Sequence, residues 1–120
     1  MAKGALKEKS FDFALRVVKL FQYLQTEKKE YVLSKQLLRS GTAIGALYRE
    51  AEFAESKADF IHKLAIAQKE CNESIYWLEL LEASNYLTRT EFDSINTDAV
   101  ELIKLLTSII KTTKSTLTKN

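Results

Sequence analysis

Residues 39–51 read RSGTAIGALYREA, and their conformation decides the fold. The 120-residue chain holds three glycines, and two of them, Gly41 and Gly45, fall four apart in this stretch. Each weakens a helix interior by about 1 kcal/mol relative to alanine. Two readings account for them. Either the helix breaks near Gly41, or it continues and the missing side chains admit another backbone at close range. Ser40, Ala43, Ala46 and Ala51 surround the glycines, and this run of small residues favours the continuous, closely packed helix. A phosphate-cradling loop is not expected, because no strand precedes the stretch and its glycine-lysine-serine/threonine ending is missing.

The flanking sequence is helical in character. The whole chain has no proline, little glycine and 46% hydrophobic residues, with Leu, Ala, Lys and Glu abundant. A first segment, about 10–27, opens with Ser10 as an N-cap and Asp12 in the first turn. Phe11, Ala14, Leu15, Val18 and Phe21 form one stripe, and Phe13, Val17, Leu20 and Leu24 an adjoining one. Together they cover more of the helix than one bundle face requires, so a second partner is expected. A second segment, about 32–55, carries Leu33, Leu37, Ile44, Tyr48 and Ala51 on its main face. The third, about 57–85, starts at a Ser56–Asp59 cap and packs Phe60, Leu64, Ala67, Cys71, Ile75 and Leu78. The fourth, about 89–114, follows Thr88–Glu91 and carries Phe92, Ile95, Ala99, Leu102, Ile103, Leu106, Ile109 and Ile110, with a tail expected to fray. Connections this short make successive helices antiparallel. The expected fold is a single all-α domain, an antiparallel up-down-up-down four-helix bundle over 1–120. A helical hairpin dimerising as a coiled coil is the alternative, but strict heptads do not persist.

The second helix has another line, Arg39, Ala43, Ala46, Glu50 and Phe53, spaced as a packed seam. With the wide apolar arc of the first helix it predicts self-association, the seam closing within the chain or between chains. Arg39 paired with Glu70 or Glu73, within or between chains, is the expected ion pair, since a guanidinium at a helix interface needs a carboxylate.

The run from Gln36 to Leu81, QLLRSGTAIGALYREAEFAESKADFIHKLAIAQKECNESIYWLELL, resembles the "four helix bundle protein" family, which is also named for open reading frames in intervening sequences of bacterial 23S ribosomal RNA genes. Gln36, Arg39, Ser40, Gly41, Ile44, Gly45, Tyr48 and Glu50 match its second helix, and Asp59, Phe60, Lys63, Leu64, Ile66 and Ala67 its third. Ala43 stands where serine is frequent and Leu47 where asparagine is usual. The resemblance implies an antiparallel bundle assembling as a ring-like homopentamer, with no enzymatic activity. A related member is the accessory protein of the reverse transcriptase in diversity-generating retroelements, a basic pentamer that binds nucleic acid and the polymerase.

Other chemistry is weakly signalled. The lone histidine, His62, cannot complete a di-iron site, which needs two Glu-x-x-His motifs, so neither metal nor cofactor is expected. Cys71, the single cysteine, lies in a core stripe and reads as an inert thiol in a reducing cytoplasm. No triad-like set appears, so catalysis is not expected. No apolar run suits a membrane span or a secretion signal. The formal net charge is +2. Lysines nonetheless cluster at the chain ends: Lys3, Lys7, Lys9, Lys111, Lys114 and Lys119 would meet at one pole of a bundle and could contact RNA or DNA nonspecifically. Glu50, Glu52, Glu55 and Asp59 reduce that surplus at the same pole.

Overall fold

A computed structural model describes residues 2–118 as four helices, α1 (Ala2–Thr26), α2 (Leu33–Ala51), α3 (Lys57–Ala83) and α4 (Arg89–Thr118). They form a rod-shaped bundle of 53 × 22 × 20 Å in which each helix packs on its sequence neighbours and α1 also meets α4. One buried apolar cluster draws on all four.

α2 is continuous through both glycines. A methyl group on Gly41 would sit 2.8 and 2.9 Å from the two Cγ atoms of Val17, well inside the ordinary ~3.5–4.0 Å carbon–carbon contact. One on Gly45 would lie 3.3 Å from Ser10 Oγ and 3.5 Å from the Ser10 carbonyl oxygen. The close approach is therefore made to α1 of the same chain. The other side of α2 uses small polar residues for the same purpose. Ser40 and Ser74, both buried, share a 2.8 Å hydrogen bond between α2 and α3, and Ser74 Oγ also donates to the Glu70 carbonyl at 2.9 Å. Between α3 and α4, Cys71 Sγ donates to the Ala99 carbonyl at 3.2 Å.

α1 begins eight residues earlier than expected. Leu6, fully buried, extends the inner stripe Phe13, Val17 and Leu24 by almost two turns. Ser10 is not a cap. It lies buried in the helix, where its hydroxyl donates back to the Lys7 carbonyl at 3.1 Å, so a mid-helix serine that bonds its own backbone need not start a helix. α2 ends at Ala51 rather than near 55, and the tail expected to fray from Lys114 stays helical through Thr118. The two remaining caps form as expected. Ser56 Oγ accepts from Asp59 N–H at 3.0 Å. Thr88 and Glu91 close a reciprocal box, with Thr88 N–H donating to Glu91 at 2.8 Å and Glu91 N–H to Thr88 Oγ1 at 3.1 Å. α3 ends in a Schellman-type turn. Asn85 takes a left-handed φ of 69°, and Tyr86 N–H returns to the Leu81 carbonyl at 2.8 Å.

The α1–α2 turn depends on Glu30. Its buried carboxylate accepts from the N–H groups of Val32, Leu33 and Ser34 at 3.1, 2.9 and 2.7 Å, and so caps an α2 start that has no capping side chain of its own. Ser34 Oγ donates to the Glu30 carbonyl at 2.9 Å. Burial pushes the Glu30 pKa up, but these hydrogen bonds outweigh it and hold the carboxyl below its ordinary range.

Two outcomes follow from this packing. Gly41→Ala should destabilise the fold by about 1–3 kcal/mol in urea unfolding, because overpacking against a stiff β-branched residue exceeds the gain in helix propensity. Gly45→Ala should cost less, and combining Gly41→Ala with Val17→Ala should recover part of the loss, a favourable coupling in a double-mutant cycle. Glu30 stabilises above its unfolded-state pKa, and that contribution is lost as pH falls through its lower folded value. Glu30→Gln should lower stability at neutral pH by about 1–2 kcal/mol and flatten the acid limb of stability against pH.

Candidate functional site

The inner stripe of α1 is spent on the core, and the outer stripe is left outside. Phe11 is 51% exposed and Leu15 46%, while Ala14, Val18 and Phe21 are half-buried. On α2 the matching feature is Phe53, 86% exposed just beyond the helix end. The Arg49 guanidinium lies 5.6 Å from the centre of the Phe11 ring and links the two. A shallow depression beside them is lined by Ala46, Arg49, Glu50, Phe53, Glu55, Asp59 and Lys63. The seam read from the sequence thus faces outward: Arg39, Ala46 and Glu50 are exposed and Ala43 half-buried. An apolar and aromatic surface edged with charges is the composition of a protein–protein contact.

The residues singled out on α2 divide between two roles. Ser40, Gly41, Ile44 and Tyr48 are buried, Gly45 is half-buried against α1, and Leu47 packs partly on the core. Gln36 is exposed, and Glu50 pairs with Lys63 at 3.1 Å. Within the chain no ion pair joins Arg39 to Glu70 or Glu73 among the described residues. Glu73 instead accepts from Trp77 Nε1 at 3.2 Å, and the polar contact between α2 and α3 there is the uncharged Ser40–Ser74 pair. Arg39 is exposed on the outward-facing seam of α2.

At one end of the rod, the start of α1, the α2–α3 corner and the last turns of α4 enclose an open cleft of about 860 Å³. The lysines expected at this pole do not form one unpaired patch. Lys7 pairs with Glu52 at 3.3 Å and Lys9 with Glu101 at 3.2 Å. Lys3 lies 4.9 Å over the Phe60 ring. Lys111 and Lys114 are exposed on α4, and Lys119 falls outside the described residues. Inside the cleft Tyr48 is buried, and burial together with the neighbouring Glu52 charge raises its pKa.

A profile of the family described as 23S rRNA-intervening sequence protein matches residues 4–108. The chain belongs to that family. It is also similar to a crystal structure of a protein with unknown function from the S23 ribosomal protein family of Bacteroides thetaiotaomicron VPI-5482. The two share 58% identity over 92% of this chain and 99% of that one, with a TM-score of 0.92. No curated protein matches. Leu47 is partly buried and packs against the core.

The structure adds a clasp that sequence periodicity did not expose. Arg16 Nη1 donates to Asp98 Oδ2 at 2.7 Å and to the Ser94 carbonyl at 3.2 Å, while Nη2 donates to Ser94 Oγ at 2.9 Å, tying α1 to α4. A lone arginine amid the apolar residues of the first helix was the available signal. His62 is exposed, and among the described residues no three His, Cys, Asp or Glu side chains converge as metal ligands. Among the described residues no helix is long and apolar enough to cross a membrane. Burial pushes the Cys71 thiol up to about 12. Thiol reagents at pH 8 should therefore label Cys71 at least about a hundredfold more slowly in the native protein than in urea; equal rates would place the thiol at the surface.

Proposed function

We propose that this chain is a non-catalytic, self-associating helical module: an antiparallel up-down-up-down bundle that assembles as a ring-like homopentamer in the cytoplasm and serves as a scaffold or accessory protein. The observation that carries the reading is the outer apolar face of α1 and α2, where Phe11, Leu15 and Phe53 are about half exposed or more. Leaving large apolar side chains in water forgoes roughly 1.5–3 kcal/mol each, so a second copy that covers them gains stability at every one. Antiparallel packing is supported by the register of the close contact: Gly41 faces Val17, whereas Gly45, further along α2, faces Ser10, earlier on α1. The family resemblance supports five subunits in a ring.

Arg39 belongs to the same proposal. Exposed on α2, it is available to pair with Glu70 or Glu73 of a neighbouring copy, an ion pair that would set the register between subunits. A non-catalytic role accords with the groups whose ionisation the fold shifts. Glu30 caps a helix, Tyr48 lies beside Glu52, and Cys71 bonds a backbone carbonyl. Nonspecific RNA or DNA binding at the lysine-bearing pole is the competing function. It is weakened by the engagement of Lys7 and Lys9 with carboxylates.

Light scattering on a sizing column, with and without labelled RNA, tests the reading. The mass should be five times the 13.7 kDa chain and unchanged by RNA at low salt. Phe11→Ser combined with Phe53→Ser should shift it to smaller species with helical circular dichroism intact. A wild-type protein that stays a single copy at about 100 μM, where even a weak specific contact of that Kd would be half-formed, would overturn self-association. Salt-dependent retention of RNA would favour the competing function.

A further inference from the structure

The polar cleft has the make-up of a ligand site independent of the outer face. Its volume of about 860 Å³ lies within the range typical of small-molecule pockets. The floor is apolar, with Ala51, Ala54 and Ile109. Two ammonium groups line it, and among the described residues neither has a carboxylate partner. Lys3 rests on the face of Phe60 at 4.9 Å, and Lys57 Nζ reaches only the neutral Thr116 Oγ1 at 3.4 Å. The one acid in the lining, Glu52, is already met by Lys7 at 3.3 Å. Ser108 and Thr112, four residues apart on α4, bring two hydroxyls to the same wall, and neither side chain has a hydrogen bond within the described residues.

We propose that this cleft binds a phosphate monoester with a small apolar body, the phosphate held by Lys3, Lys57, Ser108 and Thr112 and the apolar part resting on Ala51, Ala54 and Ile109. Charge selects the class. Two cations without counter-charges favour a dianion over a monoanion, and hydroxyl donors suit its remaining oxygens. An apolar floor beneath them adds affinity for an esterified phosphate that the free ion cannot gain. Lys3 and Lys57 come from α1 and α3, and the hydroxyls from α4, so the site exists only when three helices meet at this pole.

Calorimetric titration with 1-naphthyl phosphate at low salt tests the site. Saturable binding of one molecule per chain is expected, with inorganic phosphate and 1-naphthol each weaker by about tenfold or more. Lys3→Gln with Lys57→Gln should weaken the ester by at least about tenfold, whereas Lys28→Gln with Lys35→Gln, the same charge removed from elsewhere on the surface, should leave affinity unchanged. All four lysines are partly or fully solvent-facing, and circular dichroism confirms that each variant folds. The proposal is overturned by the absence of saturable heat up to about 2 mM ester, a ligand efficiency too low for a formed site. Wild-type affinity in the Lys3/Lys57 variant, equal loss in the Lys28/Lys35 variant, or 1-naphthol binding as tightly as its phosphate would overturn it as well. None of these readouts depends on subunit number, so this site and self-association can fail separately.

Discussion

The contact of Gly41 with Val17 sets the spacing on which the bundle depends. With no side chain at Gly41, α2 lies against a β-branched residue that has little rotamer freedom to move aside. That distance also brings Gly45 against the backbone of Ser10, and it buries Leu6, Phe13, Val17 and Leu24 of α1, with Leu20 half-buried beside them. Each glycine weakens the helix locally, and the loss is offset by dispersion contacts and by apolar area removed from water along the whole α1–α2 seam. Had the helix broken at Gly41, Ile44 and Tyr48 would have lost their place in the core.

The same principle is applied with different chemistry at the other seams. α2 and α3 approach through two buried serines, whose hydroxyls satisfy one another and a helix carbonyl. α3 and α4 approach through Cys71 and Ala99. α1 and α4 are joined by polar side chains instead, with Arg16 gripping Asp98 and Ser94, and Lys9 reaching Glu101. Exposed pairs of this kind contribute little free energy each, so apolar burial holds the bundle and the polar clasp orients its last seam. With α2 pressed onto α1, the outer-stripe residues Phe11 and Leu15 and the corner residue Phe53 remain about half exposed or more. The tight inner contact and the apolar outer face are two consequences of one arrangement.

In the proposed reading, function lies on surfaces rather than in a reactive centre. The ionisable groups most affected by the fold are a capping carboxylate, a phenol beside a carboxylate and a thiol bonded to backbone. The pole where the start of α1 and the last turns of α4 meet the α2–α3 corner mixes lysines paired with carboxylates and others, Lys3 and Lys57 among them, that meet none among the described residues. There the proposed ligand site lies, and along α1 and α2 the proposed contact with another copy.

The sequence alone determined the number of helices, the core-facing stripes of α2, α3 and α4, the caps at Ser56 and Thr88, and the buried state of Cys71; on α1 it held two adjoining apolar stripes, and the structure decided which one faces the core. These depend on residues three or four apart, whose neighbourhood is set by helix geometry before any tertiary contact forms. It also pointed to close packing at Gly41 and Gly45, but could not say against what. Only the tertiary structure decided that the neighbour is α1, that α1 starts at Ala2 with Ser10 buried inside it, and that Arg39 faces solvent while Ser40 meets Ser74. It alone paired Arg16 with Asp98, 82 positions away. Such contacts depend on the axial register of one helix against another. That register is the outcome of many small packing terms summed along each seam, and no single residue encodes it.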